Sequence, residues 1–140
     1  MSVKIHGKSD FTKMRAAGRL AAKTLDFITD YVIPQSTTNY LNDLCHRFII
    51  SHGGISAPLN YRGFPKSICT SINHVVCHGI PSNKKLKDGD IINIDVTVIL
   101  DGWHGDTSRM FYVGNVGIKP RRLIQTTYEA MMIGIETVKP

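Results

Sequence analysis

Only three cysteines occur in the 140 residues, Cys45, Cys69 and Cys77, and no two of them form a CxxC pair. An odd, scattered set of thiols excludes a disulfide framework and a zinc ribbon, and it fits reduced thiols in a cytosol-like compartment. Long apolar runs are missing too. The most hydrophobic stretch, 90–100, is interrupted by Asn93 and Asp95, far short of the roughly 20 residues a membrane-spanning helix needs. The amino terminus, MSVKIHGKSD, has neither the apolar centre nor the small-residue cleavage site of a secretory signal. Acidic residues are scarce, eleven against seventeen Lys and Arg, for a net charge of +6. That excess is either a basic solvated surface or a general affinity for nucleic acid and ribosome surfaces, because net charge steers anionic partners without selecting among them. Repeats, linkers and low-complexity segments are absent as well. The chain therefore reads as one domain, 1–140, and by its length it can bury roughly two-thirds of its unfolded surface.

Helical spacing opens the sequence. Ser9 is the expected N-cap, and Phe11, Met14, Ala17, Ala21, Leu25, Ile28 and Val32 recur every three or four residues before Pro34 closes the run. Thr37 or Thr38 starts a second helix whose buried face is Leu41, Leu44, Cys45, Phe48 and Ile49, ended by Gly53-Gly54. Residues 55–81 read as loops and short strands. The turn Lys87-Asp88-Gly89-Asp90 then feeds a strand over Ile91–Leu100, and Asp101-Gly102 is a hairpin signal returning Trp103–Val113. Pro120 suits the first turn of a last helix, 121–138, with Leu123, Ile124, Tyr128, Met131, Met132 and Ile135 as its expected core residues. The order predicts an α+β fold with an antiparallel sheet and covering helices.

The hairpin carries the chemistry. Strand residues alternate faces, so Ile92, Ile94, Val96, Val98 and Leu100 share an apolar face while Asn93, Asp95, Thr97 and Ile99 share the other. With Asp101-Gly102 as a two-residue turn, Thr97 faces Asp106 and Asp95 faces Ser108. Asp95 and Asp106 then become diagonal neighbours on one face, about 7–8 Å apart at the backbone. Three readings stay open at this level: solvated surface charges, an acid–base pair, or two oxygen ligands of a divalent cation, which removes both the desolvation and the repulsion. His78, in VVCHGIP, is placed at a strand edge before a glycine turn, either as a functional side chain or as a hydrogen-bonded structural one. Alternation along a strand would point Cys77 and His78 to opposite faces, which disfavours a Cys–His dyad. His46, His52 and His104 are expected to be solvated.

The segments NYRGFPKSICTSINHVVCHGIP and LKDGDIINIDVTVILDGWHGDTSRMFYVG closely resemble the bacterial type I methionine aminopeptidases, of the pita-bread fold. The similarity extends through FTKMRAAGRLAAKTLDFI and TYEAMMIGIETVKP, so the chain resembles the N-terminal half of that catalytic domain. The resemblance implies removal of the initiator methionine from nascent polypeptides in the cytoplasm. The chemistry would be attack by a metal-activated hydroxide at a site of two divalent ions drawn from Co, Mn, Fe or Zn. Asp95 matches a metal carboxylate, Asp106 the one bridging both ions, and His78 the catalytic histidine that contacts the substrate near the scissile amide. Tyr61, Phe64 and Cys69 match the methionine pocket, whose soft thioether suits an aromatic and sulfur lining. Asn93 and Val96 match positions whose backbone carbonyls hold a monovalent cation. His74 departs from an acidic residue common in the family, and Pro58 from a small or thiol residue of the pocket.

Members of that family are longer, and their later sequence supplies a histidine and two glutamates to the metals. The two glutamates here, Glu129 and Glu136, lie in the last predicted helix and do not match those ligands. The 140 residues alone are therefore expected to be inactive, and to expose apolar surface that favours association. The ribosome is a partner consistent with the positive charge, while neither a membrane nor a specific nucleic acid is expected. A non-catalytic pita-bread relative acting as a ribosome- or protein-binding module is the competing reading. A proline-specific metallopeptidase is a further one that CHGIP disfavours.

Overall fold

The structure, a computed structural model, describes residues 3–139. Helix α1 runs Lys8–Ile28 and α2 Thr38–Ser51, followed by strands β1 Ile55–Ser56, β2 Cys69–Ile72, β3 Ile91–Leu100 and β4 Trp103–Tyr112, and helix α3 Ile118–Glu136. Ser9 does not cap α1. The N-cap is Gly7, whose N–H donates to the Asp10 carboxylate at 3.2 Å, so the acceptor comes from the first turn instead of the cap. The helix stops at Ile28 and tightens into a 3-10 turn, Thr29–Tyr31, ahead of Pro34. Thr37 caps α2 as predicted, its hydroxyl accepting the Tyr40 N–H at 3.1 Å.

Strand β3 is the spine of an all-antiparallel sheet. β4 pairs along its whole length, while β2 and β1 share its other edge, β2 beside 92–95 and β1 beside 98–99. Asp101 and Gly102 take φ of +50° and +80°, the pair of positive angles a two-residue hairpin turn requires. Ile92, Ile94, Val96 and Val98 are wholly buried against α1 and α2, packing with Ala21, Leu25, Ile28, Leu41, Cys45 and Ile49. Each such aliphatic side chain contributes on the order of 1.5–3 kcal/mol by leaving water. Gly105, opposite Val98, lets α1 lie directly on the sheet, since a Cβ there would overlap the Ala17 carbonyl. The other face of the sheet is left for the site.

Two expectations about packing fail. Phe11 and Met14 are exposed. Helix α3 starts at Ile118, earlier than predicted, and buries no residue; Leu123, Tyr128, Met131, Met132 and Ile135 are exposed and Ile124 is half-buried. Periodicity marked an apolar face on α3 correctly, but no element among the described residues covers it. Among the described residues no helix is long and apolar enough to cross a membrane.

Candidate active site

The hairpin register is the one predicted, with Thr97 opposite Asp106 and Asp95 opposite Ser108. Both carboxylates therefore emerge on the face turned away from α1. They line one cavity of about 790 Å³ together with Tyr61, Phe64, Cys69, His78, Thr97 and His104. The Thr97 hydroxyl donates to Asp106 Oδ1 at 2.9 Å and so orients that carboxylate. On the other side of β3, Cys69 pairs in register with Asp95, which sets a thiol beside the acid.

Electrostatics follow from this crowding. Burial, then the charge of Asp106, pushes the Asp95 carboxyl above its ordinary value, and His78 partly offsets the rise. The Cys69 thiol is pushed up to about 11, first by burial and then by the negative charges of Asp95, Cys77 and Asp106. Two acids held close enough to perturb one another form a site short of positive charge.

His78 reaches the cavity by a route the sequence did not reveal. It lies beyond β2 in an irregular segment with φ of +55°, and not at a strand edge, so alternation along a strand does not govern Cys77 and His78. The following glycine fixes it. Gly79 O accepts the Thr70 N–H at 2.8 Å, Gly79 N–H donates to Ser71 Oγ at 3.2 Å, and a Cβ on Gly79 would collide with the Thr70 carbonyl. Behind Cys69, the buried Asn42 of α2 accepts the Ser67 N–H at 2.8 Å, and His46 Nδ1 bonds the Ser67 hydroxyl at 2.8 Å. His46 is thus a half-buried anchor and not a solvated residue.

Tyr61 and Phe64 sit on the 3-10 turn Tyr61–Gly63 and just after it, Tyr61 being 64% exposed. Pro58 lines the same wall. Asn93 and Val96 lie outside the cavity. Asn93 shares the open face and donates to Ser108 Oγ at 3.3 Å, whereas Val96 points into the core. His104 is exposed as expected and also lines the cavity from β4: standing two residues before Asp106, it shares that face.

Among the described residues no three His, Cys, Asp or Glu side chains converge as a complete metal-binding group. The two carboxylates are nonetheless the oxygen donors that hard and borderline cations take, and Asp95 is raised first by burial and then by the charge of Asp106. These residues fit one side of a metal site.

Compared with known families, residues 12–140 match metallopeptidase family M24. The chain belongs to metallopeptidase family M24. Within M24, it is 76% identical to the methionine aminopeptidase of Rickettsia prowazekii over 140 residues, all of this chain and 54% of that protein. The crystal structure of methionine aminopeptidase from Rickettsia prowazekii superposes with a TM-score of 0.98 over 99% of this chain and 56% of that one. The methionine aminopeptidase structure from Thermotoga maritima, at 28% identity, gives 0.94 over 99% of this chain and 56% of its own. The chain spans about half the length of the curated relatives it matches. Its fold is that half of the M24 pita-bread architecture, with an open antiparallel sheet backed by helices.

Proposed function

We propose that residues 1–140 are the N-terminal portion of a methionine aminopeptidase catalytic domain, contributing two metal carboxylates, a substrate histidine and much of the side-chain pocket. The observation that carries this is the emergence of Asp95 and Asp106 on one sheet face in a cavity shared with His78. Asp95 and Asp106 would hold two divalent ions, of Co, Mn, Fe or Zn. When bound, such ions polarise a peptide carbonyl and acidify water. Thr97 holds the Asp106 carboxylate in its orientation through the hydroxyl it donates. His78 projects into the cavity from a segment fixed by Gly79, a position from which its ring can hydrogen-bond the scissile amide. Tyr61, Phe64 and Cys69 form the wall that takes the methionine thioether, with Cys69 kept as a neutral thiol by its raised pKa. The substrate is the N-terminal methionine of nascent polypeptides in the cytoplasm, with the ribosome as partner through the basic surface.

Two carboxylates alone leave an ion largely hydrated. The chain should therefore bind Mn²⁺ weakly without releasing methionine from Met-Ala-Ser. Electron paramagnetic resonance of a Mn²⁺ titration tests this, with loss of bound signal expected in both Asp95→Asn and Asp106→Asn. Mn²⁺ binding that ignores both substitutions removes the metal reading, and rapid cleavage by this chain removes the reading of it as a partial site.

A further inference from the structure

Helix α1 turns its apolar side to the sheet, burying Ala17, Leu20, Ala21, Thr24, Leu25 and Ile28 against β3, β4 and α2. The opposite side carries Lys8, Arg15, Arg19 and Lys23, all exposed. At 3.6 residues per turn these four fall within an arc of about 80°, centred opposite the buried residues, and the row from Lys8 to Lys23 is about 22 Å long. Among the described residues none of the four enters an ion pair. The two acids of the helix are engaged elsewhere. Asp10 falls on the other side, where its carboxylate accepts the Gly7 N–H at 3.2 Å and meets His6 at 3.1 Å. Asp26 closes the row at its carboxyl end and is held by Arg109 at 2.8 Å. One rigid element thus presents four uncompensated positive charges in a line.

We propose that this row is a docking surface for the phosphate backbone of duplex RNA. The inference deepens the ribosomal partnership proposed above and rests on it for the choice of RNA, since net charge alone does not select among polyanions. The chemistry of the row narrows the occupant further. Arg15, Arg19 and Lys23 follow one another at single-turn spacing, about 5–6 Å, and a duplex offers a phosphate every few ångströms along its length. The outward line carries Thr12 and no aromatic ring on which the bases of a single strand would stack. Phe11 and Met14 are exposed but lie toward one flank, so no apolar wedge stands among the cations to enter a lipid surface. Contacts of this kind read backbone and not base edges, so binding is independent of sequence. The row lies on the side of the sheet away from the Asp95 and Asp106 cavity, and RNA on α1 leaves that cavity open to a peptide.

Fluorescence anisotropy of a short labelled RNA duplex, titrated with the chain over a series of salt concentrations, tests the surface. Affinity should fall steeply as salt rises. Arg15→Gln combined with Arg19→Gln should weaken binding about tenfold or more at about 50 mM salt, and lower the slope of log affinity against log salt by about 2. Glutamine is a good helix former, so the double variant should keep the parent's circular dichroism. Lys119→Gln with Arg122→Gln removes the same charge from exposed positions of α3 and should change affinity less than about twofold. Absence of duplex binding at low salt, or an equal loss in the α3 pair, overturns the proposal. Phosphatidylglycerol vesicles or polyglutamate binding through the same arginines more tightly than the duplex overturns it too. Cosedimentation with ribosomes separates the surface from the partnership. Ribosome binding retained by the Arg15→Gln, Arg19→Gln variant rejects the α1 surface and leaves the ribosomal reading standing. A parent chain that binds the duplex through α1 without cosedimenting supports the surface and removes the ribosomal reading.

Discussion

Substituting Gly105 by alanine tests how the core and the site are joined. Gly105 stands opposite Val98 on the apolar face, and the backbone of α1 crosses directly above it. A Cβ added there would lie 2.6 Å from Gly18 N and closer still to the Ala17 carbonyl. These are backbone atoms, so no rotamer change relieves the overlap. Restoring ordinary contact requires α1 to lift by about 1 Å, and a gap of 0.5–1 Å forfeits roughly a quarter to a half of each dispersion contact beneath it. The residues losing those contacts are Ala17, Leu20, Ala21 and Leu25, all buried. The cost belongs at the upper end of overpacking, about 3 kcal/mol. For a chain of this size that lowers the melting temperature by about 10 °C. Circular dichroism melts with a urea titration check it, the urea slope staying unchanged. Gly18→Ala is the matched control: a Cβ there meets nothing within 4 Å, and glycine-to-alanine inside a helix raises stability by about 0.5–1 kcal/mol. The reasoning is refuted if Gly105→Ala melts within about 2 °C of the parent.

Two further outcomes follow from the electrostatics. The folded-state pKa of Asp95 is raised, so the unfolded chain ionises first as pH climbs from 3.8, stability is lost through that window, and the penalty is fully present at neutral pH. Asp95→Asn should therefore melt above the parent at pH 7 in the absence of metal and match it near pH 3; a variant that melts lower at pH 7 contradicts this. Thiol labelling should be sequential, because Cys77 is exposed while burial pushes Cys69 up to about 11 and Cys45 up to about 12. Iodoacetamide at neutral pH should add one label rapidly, found at Cys77 by peptide mass mapping, with Cys45 reacting only on unfolding; early label on Cys45 refutes the packing described for α2.

The hairpin was legible because two local signals agreed. Alternation assigned faces from Ile91 to Leu100, and Asp101-Gly102 fixed the register that sets Asp106 diagonal to Asp95. His78 was not legible in the same way. Its backbone conformation depends on Gly79 lying against Thr70, a contact between segments that no periodicity encodes. His46 was misjudged for the same reason, since its partner Ser67 is 21 residues away. Helix α3 shows the converse limit. Spacing reported that Leu123, Tyr128, Met131 and Ile135 form an apolar side, but only coordinates reveal what stands opposite it.

The two faces of the hairpin place opposite demands on one pair of strands. The inner face gains by excluding water, with Ile92, Ile94, Val96 and Val98 buried. The outer face holds Asp95 in partial burial beside a like charge, and that term opposes folding at neutral pH. A divalent cation reverses the sign of the outer term, because it binds the folded arrangement and not the unfolded chain. Stability and metal occupancy are thereby linked through Asp95: the tighter the ion's hold, the larger the rise in melting temperature that a given concentration of Mn²⁺ produces. The linkage is reciprocal. Asp95→Asn should gain stability in the metal-free chain and at the same time lose the stabilisation that added Mn²⁺ gives the parent, so the two melting curves should converge as Mn²⁺ rises. Solvated surface carboxylates would give no such convergence. The behaviour of one residue in two conditions therefore separates a metal site from a pair of ordinary surface charges.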